Sequence, residues 1–141
     1  MFKIYKSSAG SGKTFTLVKE YLKLALQSPS ELTFKRILAT TFTNKAANEM
    51  KSRVLEALAF LSDPNPITTK HDVLKNVLLE ELSFTPIQLQ QKSLNVLRAI
   101  LHNYADFGIG TIDRFTHRIV RTFARDLNLP VNFRGRYSVY C

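Results

Sequence analysis

The chain has 141 residues, enough for one ordinary domain with a real core, and 45% of them are hydrophobic, which excludes a disordered chain. There are 20 Lys and Arg against 11 Asp and Glu; the formal charge of +9 favours a polyanionic partner, whether nucleic acid, nucleotide or an acidic membrane surface. The one cysteine, Cys141, excludes an intrachain disulfide and a cysteine-based metal site, and no apolar stretch approaches the roughly 20 residues that span a bilayer. Residues Met1–Lys6 show no apolar leader and no cleavage pattern, so a cytoplasmic protein without a membrane partner is expected.

In chain order, Phe2–Lys6 alternates apolar and basic residues, which predicts a short strand. A Gly/Ser turn follows, and then a helix over about Gly12–Gln27, with Phe15, Val18, Leu22, Ala25 and Leu26 as its apolar stripe. Ser28-Pro29-Ser30 ends it. The β-branched and apolar run Arg36–Phe42 predicts a second strand. Asn44–Leu61 predicts a second helix, because Ala47, Met50, Val54, Leu58 and Leu61 recur at steps of three and four. Asp63–Pro66 breaks the chain. Two helices are expected between Thr69 and Tyr104. Thr85-Pro86-Ile87-Gln88 carries the signature of a capping box, and Leu89, Leu94, Leu97, Ile100 and Leu101 supply the apolar side. Phe107–Thr111 reads as a turn and a short strand. A last helix is expected over about Asp113–Asn128, stopped before Pro130.

Three segments could carry chemistry. The first is Ser7-Ser8-Ala9-Gly10-Ser11-Gly12-Lys13-Thr14, a P-loop pattern set between a predicted strand and a predicted helix. Gly10 and Gly12 allow backbone angles that other residues resist, so consecutive N–H groups can converge on phosphate oxygens. The helix N-terminus adds positive partial charge. Lys13 would reach the terminal phosphates, and the Thr14 hydroxyl would ligate Mg²⁺. The strict pattern has Gly where Ser7 stands, and the competing reading is a Gly/Ser loop that happens to precede Lys-Thr.

The second segment is Thr41-Phe42-Thr43-Asn44-Lys45-Ala46-Ala47, where a strand closes and a helix opens. Small polar donors there suit a phosphate backbone, and an exposed Phe42 could stack on a base. The plainer reading puts a helix cap at Thr43 or Asn44 and Phe42 in the core. The third is the last helix. Arg114, Arg118, Arg121 and Arg125 fall within an arc of roughly 60°, with Phe115, Ile119, Phe123 and Leu127 on the other side. This arginine ridge, facing away from the core, either tracks phosphates or is a solvated face. Val77–Glu81 looks like an apolar strand ending in acids, but Val73, Leu74, Val77, Leu78 and Leu82 keep helical spacing, which predicts a helix with Glu80 and Glu81 solvated. His71, His102 and His117 lack metal-ligand spacing.

Together these motifs resemble the N-terminal region of superfamily 1 DNA helicases of the UvrD/RecB/AddA type, over roughly residues 2–133. Ser8–Thr14 is similar to motif I of the RecB-like branch. Thr41–Ala47 with Glu49, Met50 and Arg53 is similar to motif Ia. Gly110-Thr111-Ile112-Asp113-Arg114-Phe115 is similar to the next motif, although Asp113 replaces a frequent His and Arg114 a frequent Ser. The resemblance implies ATP and Mg²⁺ as cofactors, held at Ser7, Ser8, Ala9, Gly10, Ser11, Gly12, Lys13 and Thr14. It implies contacts to single-stranded DNA at Thr41, Phe42, Asn44, Thr111 and Arg118.

The fold expected is α/β, a partial RecA-like P-loop NTPase domain with parallel strands. Its core would be residues 1–61 and 107–133, with a helical insertion over 62–106 and an unassigned tail at 134–141. The activity implied is ATP-driven unwinding or translocation in recombination and repair, beside a nuclease or other helicase-complex subunits. Residues 1–141 alone are expected to be inactive, because the family's Asp-Glu Walker B pair and its second RecA-like domain do not appear in them. A small P-loop kinase and a non-catalytic nucleotide- or DNA-binding fragment are the competing readings.

Overall fold

The computed structural model describes residues 12–67 and 69–123. The strand expected at 2–6, residues Ser7–Ser11 of the P-loop, Arg125, Leu127 and the 134–141 tail lie outside the described residues.

Helix α1 spans Lys13–Gln27 and stops at Ser28, whose extended backbone precedes Pro29. Val18, Leu22, Ala25 and Leu26 are buried, as the spacing predicts. Phe15 is not; it stays exposed, and Tyr21 joins the buried face instead. The reason is local. Phe15 stands at the rim of an open cleft of about 300 Å³, whose wall mixes Val18 and Leu74 with Glu49, Arg53, Glu56 and Lys70, so the ring is only partly covered.

The strand expected over residues 36–42 is shorter. Glu31–Arg36 forms a 3₁₀ turn, and only Ala39–Thr41 remains as β1. Turn chemistry decides this. Ser30 Oγ accepts from the Leu32 N–H at 3.3 Å, and the Thr33 hydroxyl donates to Ser28 Oγ at 2.6 Å. The turn drives Phe34 into full burial beside α1 and helix α4 (Pro86–His102).

Helix α2 spans Asn44–Ser62. Ala47, Met50, Val54, Leu58 and Leu61 are buried as expected, with Ala57 and Phe60 beside them. Helix α3 spans Asp72–Leu82, so Val77–Glu81 is helical. Leu74 and Leu78 are its buried pair, while Val73, expected on the apolar face, points outward. Helix α4 opens on a complete capping box. Thr85 Oγ1 accepts from the Gln88 N–H at 3.2 Å, and Gln88 Oε1 accepts from the Thr85 N–H at 2.9 Å. Its buried face is Leu89, Ser93, Val96 and Ile100. Leu94 and Leu97 are only half-buried and Leu101 is exposed, so the helix is rotated from the face expected for it. A serine inside the buried stripe hid that face from a reading by hydropathy.

Strand β2, Ile109–Thr111, pairs parallel to β1, with Ala39 opposite Ile109, Thr40 opposite Gly110 and Thr41 opposite Thr111. Ile109 belongs to the core shared by α1, α2, α3 and α4, and the half-buried Ala39 packs against it. Leu38 and Thr40 alternate to the outer face and stay exposed. Helix α5, Ile112–Thr122, follows β2, and none of its residues is buried. Phe115, Ile119 and Phe123, expected to pack inward, remain exposed. The result is a helix-rich α/β unit with a small parallel sheet. Among the described residues, no helix is long and apolar enough to cross a membrane.

Candidate functional site

Two regions bring the expected residues together. The first is the start of α1. Gly12 is its N-cap, with φ 74° and ψ 8°, a left-handed conformation that costs an L-residue roughly 1–2 kcal/mol and glycine nothing comparable. Among the described residues, a Cβ built at Gly12 would meet no atom within 4 Å, and it is the positive φ that favours glycine there. Helices α2, α4 and α5 are each capped by a threonine hydroxyl at Thr43, Thr85 and Thr111, whereas the α1 cap residue has no side chain and the first turn holds no acid. The first-turn amides, the positive end of the helix dipole and Lys13 at the first helical position suit a phosphate. Thr14, half-buried in the same turn, adds a hydroxyl suited to a phosphate-bound Mg²⁺.

The second region is the C-terminal end of the sheet. The register sets Thr41 opposite Thr111, so α2 and α5 begin side by side at the ends of two parallel strands. That is where open α/β sheets hold their ligands. Thr43 Oγ1 accepts from the Ala46 N–H at 3.1 Å, and Thr111 Oγ1 from the Arg114 N–H at 3.2 Å. The Thr41 hydroxyl donates to the Thr43 carbonyl at 2.9 Å and fixes the corner between them. On that corner Phe42 is 89% exposed, which rules out the core reading of this residue. Asn44 is exposed beside it. Of the other motif residues, Met50 is a core side chain, and Glu49 pairs with Arg53 at 2.7 Å, one helical turn on.

The arginine ridge takes a different orientation from the one expected. Arg114, Arg118 and Arg121 are exposed, but they line a cleft of about 470 Å³ between α5 and the outer sheet face, shared with Leu38, Thr40 and Phe115. Arg114 reaches back over Gly110. The Arg114 Cδ lies 3.6 Å from the position a Cβ at Gly110 would take, so the arginine stem crosses the strand there. Arg118 therefore opens onto the cleft, while Thr111 is buried as a cap whose hydroxyl is already engaged.

Sequence reasoning missed Lys51. Its Nζ lies 5.2 Å from the centre of the Tyr104 ring and 6.0 Å from that of Phe107. Burial and the nearby Arg114 charge hold its ammonium below the usual lysine range. The signal was present: Lys51 follows Asn44 by seven residues, which returns it to the same helical face about 10 Å further along. Glu81 also departs from expectation. It is not merely solvated; Lys19 and Lys23 of α1 each donate to its carboxylate at 2.6 Å, and these bonds hold it down to about 2.

Residues 4–139 match the UvrD/REP helicase N-terminal domain, and the chain belongs to that family. It is similar to an ATP-dependent helicase/nuclease subunit of Bacillus cytotoxicus, at 32% identity over 128 residues, which is 91% of this chain and 8% of that protein. It is similar as well to the proteins of the same description from Clostridioides difficile, at 34% over 96 residues (68% of this chain, 7% of that protein), and Exiguobacterium sibiricum, at 47% over 55 residues (39% and 5%). The chain thus spans 8% or less of the length of these relatives. No solved structure matches it.

Proposed function

We propose that this chain is the nucleotide- and DNA-binding N-terminal part of an ATP-dependent DNA helicase of recombination and repair, working beside a nuclease. Residues 1–61 and 107–133 form its P-loop core, and 62–106 a helical insertion. Residues 1–141 by themselves bind and do not turn over. The observation that carries the reading is Phe42, a large aromatic ring 89% exposed on a corner made rigid by Thr41 and Thr43. Burial of such a ring is worth roughly 1.5–3 kcal/mol, so its exposure points to a surface that a ligand covers. Base stacking is the use that fits its neighbours, Thr41 and Asn44 from motif Ia, with Arg118 to meet phosphates. The similarity to helicase/nuclease proteins supports the same reading.

At the other region, Ser7–Thr14 would hold the phosphates of ATP. Their amides and Lys13 would offset phosphate charge, and the Thr14 hydroxyl would hold Mg²⁺. In the longer protein, ATP hydrolysis would supply the free energy for movement along DNA.

The experiment is fluorescence anisotropy with a labelled single-stranded oligonucleotide, on wild type and Phe42→Ala. The substitution is expected to weaken binding by roughly 1–3 kcal/mol without lowering the melting temperature, because the ring supports no core. Equal affinity of the two proteins refutes the placement of DNA on this corner. Thermal melts with Mg·ATP test the nucleotide site. At 100 times its dissociation constant the ligand stabilises wild type by about 2.7 kcal/mol, and Lys13→Ala loses most of that shift.

A further inference from the structure

Parallel sheets are found with a layer of structure over each face. Here one face is covered: Ile109 lies in the core and Ala39 packs against it. The opposite face is not. Leu38 and Thr40 turn outward, and α5 touches both strands while burying none of its own residues. The cleft of about 470 Å³ lies between α5 and that face. Its apolar part is Leu38 and Phe115, both exposed. Its cationic part is Arg114, Arg118 and Arg121, at steps of four and three on one face of α5, a row about 10 Å long. Among the described residues, none of these three arginines forms an ion pair.

Whatever covers this face must offer apolar contact to Leu38 and Phe115 and negative charge to the arginine row. Nucleic acid brings the charge and flat rings, but an exposed leucine is no platform for a base. Nor can this chain supply the charge. Its formal charge is +9, and Glu49, Glu56 and Glu81, acids of α2 and α3, are already paired with Arg53, Lys70 and the two lysines of α1. Residues 1–11 contain Lys3 and Lys6 and no acid, and residues 124–141 set Asp126 against Arg125, Arg134 and Arg136. A second copy would therefore bring like charge to the row. The complementary surface belongs to a different, acidic protein.

We propose that the cleft between α5 and the outer sheet face docks an acidic amphipathic helix of a partner protein. Apolar side chains of that helix cover Leu38 and Phe115, and its carboxylates, one turn apart, meet arginines that are themselves one turn apart. The docked helix gives the sheet its second layer. This proposal stands apart from the reading of the Phe42 corner as a DNA site. The two share only Arg118, so the test is placed on Arg114, Arg121 and Leu38.

The probe is a labelled helical peptide with Leu and Glu on adjoining faces, beside the same peptide with Gln for every Glu. Anisotropy is measured on the 141-residue chain across a salt series. Wild type is expected to bind the Glu peptide more tightly than the Gln peptide, and less tightly as salt rises. The double variant Arg114→Gln, Arg121→Gln should weaken binding of the Glu peptide by about tenfold at low salt and flatten its salt dependence. Leu38→Ser should weaken binding while keeping the salt dependence. Arg98→Gln removes an exposed charge on α4 away from the cleft and should match wild type. Melts of each variant check that it is folded, which is expected because the changed side chains are exposed. The proposal is overturned if wild type binds no Glu peptide at low salt, or takes both peptides alike. It is overturned as well if the double variant binds as wild type does, or if Arg98→Gln weakens binding as much as the double variant. A double variant that keeps the peptide and loses oligo-dT would make the cleft a nucleic-acid groove and overturn it too. The Phe42 reading is tested separately, by oligo-dT on Phe42→Ala, and survives the loss of this one.

Discussion

Where the chain enters its two strands, Ile37 and Gly108 pass one another so closely that a Cβ at Gly108 would fall on the Ile37 carbonyl oxygen. The Gly108 carbonyl also accepts from the Ala39 N–H at 2.9 Å, so the contact cannot open without loosening the sheet. Gly108→Ala is therefore expected to cost roughly 1–3 kcal/mol, as overpacking does. Gly110→Ala is the control. Its methyl group would meet only the Arg114 Cδ at 3.6 Å, an ordinary contact, and its stability should stay within about 0.5 kcal/mol of wild type. Paired thermal melts decide, and equal melting temperatures would show that the strands part more easily than this geometry allows. At the same scale, the sequence left Phe42 open between an exposed ring that could stack on a base and a core residue, and its 89% exposure decides against the core. Thr43 as a cap and Phe42 as a core residue were compatible on paper, because a cap fixes only the backbone. What ejects the ring is the Thr41–Thr43 hydrogen bond, a local contact that no periodicity reports.

At the scale of elements, helices with a strong internal period were legible and the irregular pieces were not. Ala47, Met50, Val54, Leu58 and Leu61 on α2 follow one stripe because α1, α4 and the sheet all pack on that side of the helix. On α4 the polar Ser93 lies in the stripe and the apolar Leu101 lies outside it, so hydropathy misplaced the face. The 3₁₀ turn at Glu31–Arg36 came from Ser and Thr side chains competing with the strand, a choice made by short-range hydrogen bonds. Residues on α1 and α3 that hydropathy ignored turn out to join those helices. Glu81 is gripped by Lys19 and Lys23, and its folded-state value of about 2 lies below the ordinary 4.5. A carboxylate depressed in the folded state stabilises the protein above its unfolded value, and that stabilisation is lost as pH falls through the folded one. Glu81→Gln should thus melt below wild type at neutral pH, by no more than about 1 kcal/mol for so accessible a pair. The gap should shrink between pH 4.5 and about 2, and it should narrow with added salt. A gap independent of pH would assign the residue a packing role instead.

For the whole molecule, the sharpest expectation concerns turnover. Phosphoryl transfer needs the γ-phosphate held, Mg²⁺ anchored, a water oriented and transition-state charge neutralised. On the proposed reading, residues 7–14 would answer the first need and part of the second. The described acids are engaged elsewhere or stand apart: Glu81 with Lys19 and Lys23, Glu49 with Arg53, Glu56 with Lys70 and Asp106 with Lys35. Among the described residues, no three His, Cys, Asp or Glu side chains converge as a metal site would require. Glu81 faces Lys19, six residues along α1 from Lys13, which is about 9 Å of helix away from the phosphate end. Nor do the α5 arginines offer themselves as a finger, since Arg114, Arg118 and Arg121 open onto a cleft over the outer sheet face. A finger contributes about 10³–10⁵ in rate where one is present. A polypeptide of these 141 residues is therefore expected to bind Mg·ATP and single-stranded DNA while releasing phosphate at background rate. A phosphate-release assay with oligo-dT present measures this directly. Turnover near 1 s⁻¹, of the order typical for enzymes and abolished by Lys13→Ala, would mean that a carboxylate placed here in an ion pair works at the phosphates instead, and that the P-loop and its acid lie in one self-sufficient domain.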